Sequence, residues 1–232
     1  MHYFYSKNIH DNLIALSKEE AHHALRVMRL KEGDEVGVFD GEGSIFKCKI
    51  AELSKSKCIL NIKSHVTSQR SPSNLSILIA PTKNNDRLEW FLEKATEIGV
   101  HEIVPILCDH SERKKIRKDR LEKVLISAMK QSMNPFLPKL KELKKFNEVI
   151  DDYSSFDRFI SHCGEGDKHN LFEMIKPNVP CAIFIGPEGD FSVNEIKEAK
   201  KFGWNEVSLG HQRFRTETAG IVAVHMHSLK SE

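Results

Sequence analysis

After residue 74 the chain alternates short, continuously apolar runs with longer stretches whose apolar residues recur at helical spacing, and this alternation constrains the fold more than any other feature. The runs are 75–80, 102–107, 158–161, 182–185 and 207–209. They lack the every-other-residue pattern of a strand with one wet face, so they are predicted as strands covered on both sides. Between them Leu88, Phe91, Leu92, Ala95 and Ile98 share one helical stripe, as do Ala219, Val222, Ala223 and Met226 further on. Strands joined by helices need long crossover connections, which implies a parallel sheet flanked by helices.

The first 70 residues follow another pattern. Strand-like pieces at 34–39, 45–50 and 57–62 are joined by tight turns, among them Asp40-Gly41-Glu42-Gly43. One helix is predicted to start at Ser17, with Glu20 completing a capping box, and to run through Ala21, Leu25 and Met28. It carries His22, His23, Arg26 and Arg29. The polar, Ser-rich stretch 64–74 has a linker's composition. The expected division is therefore a β-rich domain at 1–70 and an α/β domain at 71–232, and 232 residues with 40% hydrophobic composition can supply both cores.

Several function classes lose support. Lys+Arg 35 against Asp+Glu 33 leaves a net charge of only +2, so nucleic-acid binding has to rest on local clustering. Five cysteines, Cys48, Cys58, Cys108, Cys163 and Cys181, show no C-x-x-C pair and are expected to be reduced thiols of a cytoplasmic protein. No apolar run approaches the length of a membrane span. Adjacent His22-His23, and His225 with His227, face different ways on a helix, so no metal is expected. Neither a Gly-Lys-Ser/Thr loop nor a G-x-G-x-x-G after a strand occurs, which removes the main support for ATP or a dinucleotide.

Chemistry concentrates in two glycine turns that follow apolar runs: 185–190, Ile-Gly-Pro-Glu-Gly-Asp, and 208–219, which contains Leu209-Gly210 and Arg213, Arg215 and Glu217. In an open α/β sheet such turns sit at the strands' C-terminal edge, where ligands bind, and two together suggest one composite pocket. The run 112–120 holds six basic against two acidic residues and follows another strand end, placing candidate phosphate contacts at the same edge.

These residues carry a resemblance that covers nearly the whole chain. His22-His23 with Val27 and Arg29 ahead of Gly33-Asp34, Lys83, Glu93-Lys94-x-x-Glu97-x-Gly99, Ser111-Glu112-Arg113, Gln131, Gly186-Pro187-Glu188-Gly189 and Leu209-Gly210-x-x-x-x-Arg215-Thr216-Glu217-Thr218-Ala219 resemble the motifs of the 16S ribosomal RNA uracil-N3 methyltransferase family (RsmE-type) of the SPOUT superfamily. The last two motifs are the most specific. The resemblance implies a PUA-like β-barrel followed by a SPOUT domain: a parallel sheet flanked by helices whose C-terminal part forms a trefoil knot, against the general rarity of knots. It also implies a homodimer acting on 16S rRNA, within the small ribosomal subunit, with S-adenosylmethionine as methyl donor. His162, Ile185, Gly186, Glu188, Gly189, Leu209, Gly210 and Phe214 would line the cofactor pocket.

Methylation at uracil N3 needs alignment of nitrogen, methyl carbon and sulfur, and a target base unpaired on its Watson–Crick edge. Arg215 is expected to stabilise negative charge developing on the uracil carbonyls, and Glu217 to orient Arg215 or relay the N3 proton. Arg26, Arg29, Lys83, Arg113, Lys114, Lys115 and Arg117 are the expected phosphate track. Asp190, Phe214, Lys130 and Asn134 depart from the family's usual residues. A SPOUT enzyme acting on transfer RNA, and a non-catalytic RNA-binding protein, are the alternatives.

Overall fold

The computed structural model of the chain describes residues 1–69 and 74–231. It divides into two compact units, Met1–Arg70 with Met129–Leu137, and Ser71–Ala128 with Pro138–Glu232.

In the first unit β1 (His2–Tyr5), β2 (Ile9–His10), β3 (Leu13–Ala15), β4 (Glu35–Phe39), β5 (Ser44–Leu53) and β6 (Cys58–Thr67) form a curled sheet in the order β1-β4-β5-β6-β3-β2. It is antiparallel except where β1 runs parallel to β4. Along β5, Lys47 and Lys49 face water while Cys48 and Ile50 enter a core with Phe4, Ile14, Val36, Val38 and Leu60. That alternation is the signature of a sheet with one buried face. The linker predicted at 64–74 begins later, because residues 64–67 are paired with β5. Positions 70–73 of that stretch lie outside the described residues.

Helix α1 (Lys18–His22) starts as predicted, with the Ser17 hydroxyl accepting from the Glu20 amide at 3.2 Å. The second half of the capping box is not made, since Glu20 instead receives Lys130 Nζ at 2.7 Å. The single helix expected through Met28 also changes character: residues His23–Val27 form a π-helical turn, with Met28 N donating to His23 O. Apolar spacing at Ala21, Leu25 and Met28 does not reveal this wider turn.

The second unit contains β7 (Leu75–Ile79), α2 (Asn85–Ile98), β8 (Glu102–Leu107), α3 (Lys118–Ser132, its last turn counted with the first unit), β9 (Lys139–Leu140), β10 (Lys144–Lys145), α4 (Phe146–Val149), β11 (Asp157–Ser161), β12 (His169–Asn170), α5 (Leu171–Met174), β13 (Cys181–Ile185), α6 (Val193–Lys201), β14 (Asn205–Ser208) and α7 (Thr216–Ser231). The sheet is parallel, in the order β10-β8-β7-β13-β11-β14-β12 with β9 beside β8. Every residue of β7 and β13 is buried, as the continuous apolar runs require. One face packs Phe146, Phe184, Phe191 and Trp204 around Leu78 and Ile160.

After β14 the chain turns back past β11 and β13, so that α7 packs on β7, β13 and α2. At Gly220 the approach is close enough that a Cβ would lie 2.6 Å from the Phe91 ring. This return across the strand ends sets the sheet apart from an ordinary doubly wound one. Among the described residues no helix is long and apolar enough to cross a membrane, no group of His, Cys, Asp and Glu could hold a metal ion, and the five cysteines are free.

Candidate active site

The C-terminal ends of three neighbouring strands, β13, β11 and β14, open into a cleft of about 900 Å³. Its walls are the loops 161–168, 185–190 and 208–216, with Ala219 of α7. Parallel strands leave their C-terminal ends on one edge, and the loops that leave them there converge. The Thr216 hydroxyl donates to the Gly186 carbonyl at 3.0 Å, tying the start of α7 to the first glycine turn.

Of the predicted cofactor residues, His162, Ile185, Gly186, Glu188, Leu209, Gly210 and Phe214 border this cleft. Gly189 does not. Its carbonyl instead faces His110, whose Nδ1 lies 3.0 Å from it and from the Asp190 carbonyl. Arg215 borders the cleft and is exposed. Glu217, one residue into α7, points elsewhere: it is buried, and its Oε1 lies 3.7 Å from Arg87 Nε on α2. Among the described residues its charged neighbour is thus Arg87, and no hydrogen bond or ion pair joins Glu217 to Arg215.

Sequence reasoning missed residues that build the loop after β11. The Asp190 carboxylate accepts from the Cys163 amide at 2.7 Å and from the Phe191 amide at 2.9 Å, joining that loop to the first glycine turn. Asp190 holds a left-handed backbone at φ +63°, a conformation that aspartate tolerates better than most residues. Lys168 Nζ donates to the carbonyls of His162 and Gly164. The departure at Asp190 was visible in the sequence; its two amide partners were not.

His162 borders the cleft while its side chain is only 2% exposed. Its Nδ1 accepts from Gly164 N at 3.1 Å, so the proton sits on Nε2, which donates to Glu206 at 3.0 Å. Burial, then the nearby Lys168 charge, holds its pKa below the ordinary value, leaving a neutral ring near pH 7. Glu206 is held below the usual carboxylate range chiefly by its hydrogen bond from Lys200.

The cleft suits a small ligand that is part apolar and part polar. Ile185, Leu209 and Phe214 supply apolar wall, while the three loops supply polar groups. At Gly210, φ is +130° and a Cβ would meet nothing within 4 Å, so the turn leaves open space where it borders the cleft. The residues present therefore fit an S-adenosylmethionine-sized group.

The predicted phosphate track separates into different situations. Arg26 and Arg29 are exposed on the first unit. On the second, Lys114, Lys115 and Arg117 are exposed, whereas Lys83 pairs with Glu112 at 2.7 Å and Arg113 is half-buried, donating to backbone carbonyls. Three basic residues of the run also have local carboxylate partners: Arg117 lies 3.4 Å from Asp119, Lys118 2.5 Å from Glu142 and Arg120 2.6 Å from Glu89.

Comparison with known proteins matches residues 69–228 to the RNA methyltransferase domain and residues 16–63 to the RNA methyltransferase PUA domain. A curated relative from Aquifex aeolicus, Ribosomal RNA small subunit methyltransferase E, is 29% identical over 97% of this chain and 97% of its own. Among solved structures, a "probable rRNA-methyltransferase" from Porphyromonas gingivalis superposes with a TM-score of 0.91 at 37% identity, covering 100% of this chain and 98% of that one. A Legionella pneumophila protein solved with bound cofactor SAM gives a TM-score of 0.86 at 25% identity, covering 99% and 97%.

Proposed function

Because the chain belongs to the RNA methyltransferase family whose domain it carries over residues 69–228, we propose that it transfers a methyl group from S-adenosylmethionine to N3 of a uridine in 16S rRNA. The observation that carries this reading is the cleft at the ends of β13, β11 and β14, lined by glycine turns and bordered by Arg215. The curated relative's name and the SAM bound to the Legionella protein support the substrate and the donor.

S-adenosylmethionine supplies an electrophilic methyl on a sulfonium. The chain's own task is to hold donor and base in line and to stabilise charge. The backbones of the 185–190 and 208–216 loops hold the donor, with Leu209 and Phe214 against its apolar part. Arg215, exposed at the cleft, faces the incoming base and stabilises negative charge on its carbonyl oxygens as N3 loses its proton. Glu217 steadies the start of α7 through Arg87 and takes no proton from the base.

Residues 1–70 act as the RNA-binding domain and 71–232 as the catalytic one. Arg26 and Arg29 on the first, and Lys114, Lys115 and Arg117 on the second, contact phosphates. The active form is a cytoplasmic homodimer working on rRNA of the small ribosomal subunit.

Nucleoside mass spectrometry of 16S rRNA incubated with the protein and S-adenosylmethionine tests the reading, and 3-methyluridine is expected. Methylation of transfer RNA instead would transfer the activity to another substrate. An absence of S-adenosylmethionine binding in calorimetry would favour a non-catalytic RNA-binding role. In the same assay Arg215→Ala should lower the rate about 10² to 10³-fold while leaving donor affinity intact; a normal rate sinks the assignment.

A further inference from the structure

Arg113 was expected to touch phosphate, yet its guanidinium turns into the protein. Nε donates to the Thr82 carbonyl at 2.9 Å and an Nη donates to the Lys83 carbonyl. Thr82 is fully buried, and its hydroxyl donates to Asn84 O at 2.7 Å, so Arg113 grips a rigid turn between β7 and α2. The next amide in that turn, Lys83 N, donates to Glu188 Oε1 at 3.0 Å. Glu188 belongs to the first glycine turn and borders the cleft.

A second link runs beside the first. His110 Nδ1 reaches the carbonyls of Gly189 and Asp190, and carbonyls only accept, so the ring is the donor. The loop after β8 therefore holds the turn after β13 twice, directly through His110 and through the turn after β7.

The geometry points to Arg113 as a positioning residue for the cofactor cleft: it fixes Glu188 and the glycine turn through the 82–84 turn, and it is not a phosphate contact. This rests on the reading of the cleft as the S-adenosylmethionine site. Pulling the guanidinium out to meet RNA would take the charged donor from two backbone carbonyls, the Thr82 one partly buried, a cost that exposed Lys114 and Lys115 do not face. Lysine reproduces the arrangement only in part, because a single ammonium must reach both carbonyls from one point, whereas the guanidinium presents two separate donors in a planar fork.

The test measures S-adenosylmethionine affinity by calorimetry, and the salt dependence of binding to a 16S rRNA fragment, on the full-length chain. Arg113→Ala should weaken the donor about tenfold, the scale of one charge-assisted hydrogen bond, while the slope of log affinity against log salt stays at its wild-type value. Lys115→Ala calibrates the slope change that a genuine phosphate contact produces. Arg113→Lys should recover part of the donor affinity. The double variant Arg113→Ala/Glu188→Ala should bind the donor no more weakly than the weaker single variant, since both cut the same chain of bonds.

A fall in salt slope with donor affinity intact overturns the proposal, and so do single-variant losses that multiply in the double variant. If circular dichroism shows Arg113→Ala unfolded, Arg113→Lys with Glu188→Ala forms the same cycle and decides. A wild-type chain that fails to bind S-adenosylmethionine refutes the cleft assignment itself, a result distinct from failure of the positioning role of Arg113.

Discussion

His227 lies on α7 and is 6% exposed; burial pushes its pKa from 6.5 down to about 4. The same helix opens with Thr216 and Ala219 at the cleft, so its stability bears on the site. In the unfolded chain the imidazole gains its proton near pH 6.5, while in the folded protein it stays neutral until about pH 4. Between those values the unfolded state binds one more proton, and stability falls with pH by about 1.4 kcal/mol per pH unit. Across the window this amounts to about 3 kcal/mol, fully retained above pH 6.5 and lost as the pH approaches 4.

The perturbation is His227→Gln, which is polar but cannot charge. Urea unfolding followed by the fluorescence of buried Trp204, at fixed ionic strength from pH 7.5 to pH 4, gives the stability of both proteins. The substitution itself is expected to cost stability at pH 7.5, because the cavity is shaped for a ring. The decisive quantity is the gap between the two curves, which should move in the variant's favour by about 3 kcal/mol on acidification. His162 also has a depressed pKa, but both proteins carry it and its contribution cancels. Parallel curves would refute the reasoning, by showing that the imidazole protonates as readily in the folded state as in the unfolded one.

Other outcomes follow from single positions. Gly220→Ala places a Cβ 2.6 and 2.8 Å from the Phe91 ring and 3.1 Å from Ile79; overpacking between α7, α2 and β7 should cost about 1–3 kcal/mol and lower the melting temperature, even though alanine favours helix. Gly210→Ala has room for its methyl but must hold φ at +130°. The strain, about 1–3 kcal/mol, should appear as weaker S-adenosylmethionine binding in calorimetry, and an unchanged affinity would remove this turn from the site. Lys114→Ala and Lys115→Ala should each reduce the salt slope of RNA binding by about 0.7 to 0.9, measured by filter binding or fluorescence anisotropy.

The sheet of the second unit was legible because burial on both faces leaves a direct compositional trace. The predicted strand at 102–107 coincides with β8, and those at 75–80 and 182–185 are each within one residue of β7 and β13. The strands β1 to β3 left no such trace, being pieces of 4, 2 and 3 residues too short for any period to register. Helix α3 begins inside the charged run, where basic residues hide its start. In the site, the glycine turns at the ends of β13 and β14 pointed to the cleft, since each leaves a buried strand at the same sheet edge. Which side chains enter the cleft depends on packing that no local pattern encodes. Glu217 turned to Arg87, 130 positions earlier in the numbering, and Arg113 to carbonyls 30 and 31 positions away.

The cleft's three walls come from strands that are neighbours in space as β13, β11 and β14 but are made in the order β11, β13, β14. The central strand is thus synthesised first, and the wall that closes the cleft arrives only with the segment leading into α7. A nascent chain therefore lacks a complete cleft until that segment has emerged and folded back, and a chain cut before β14 keeps only two of the three walls.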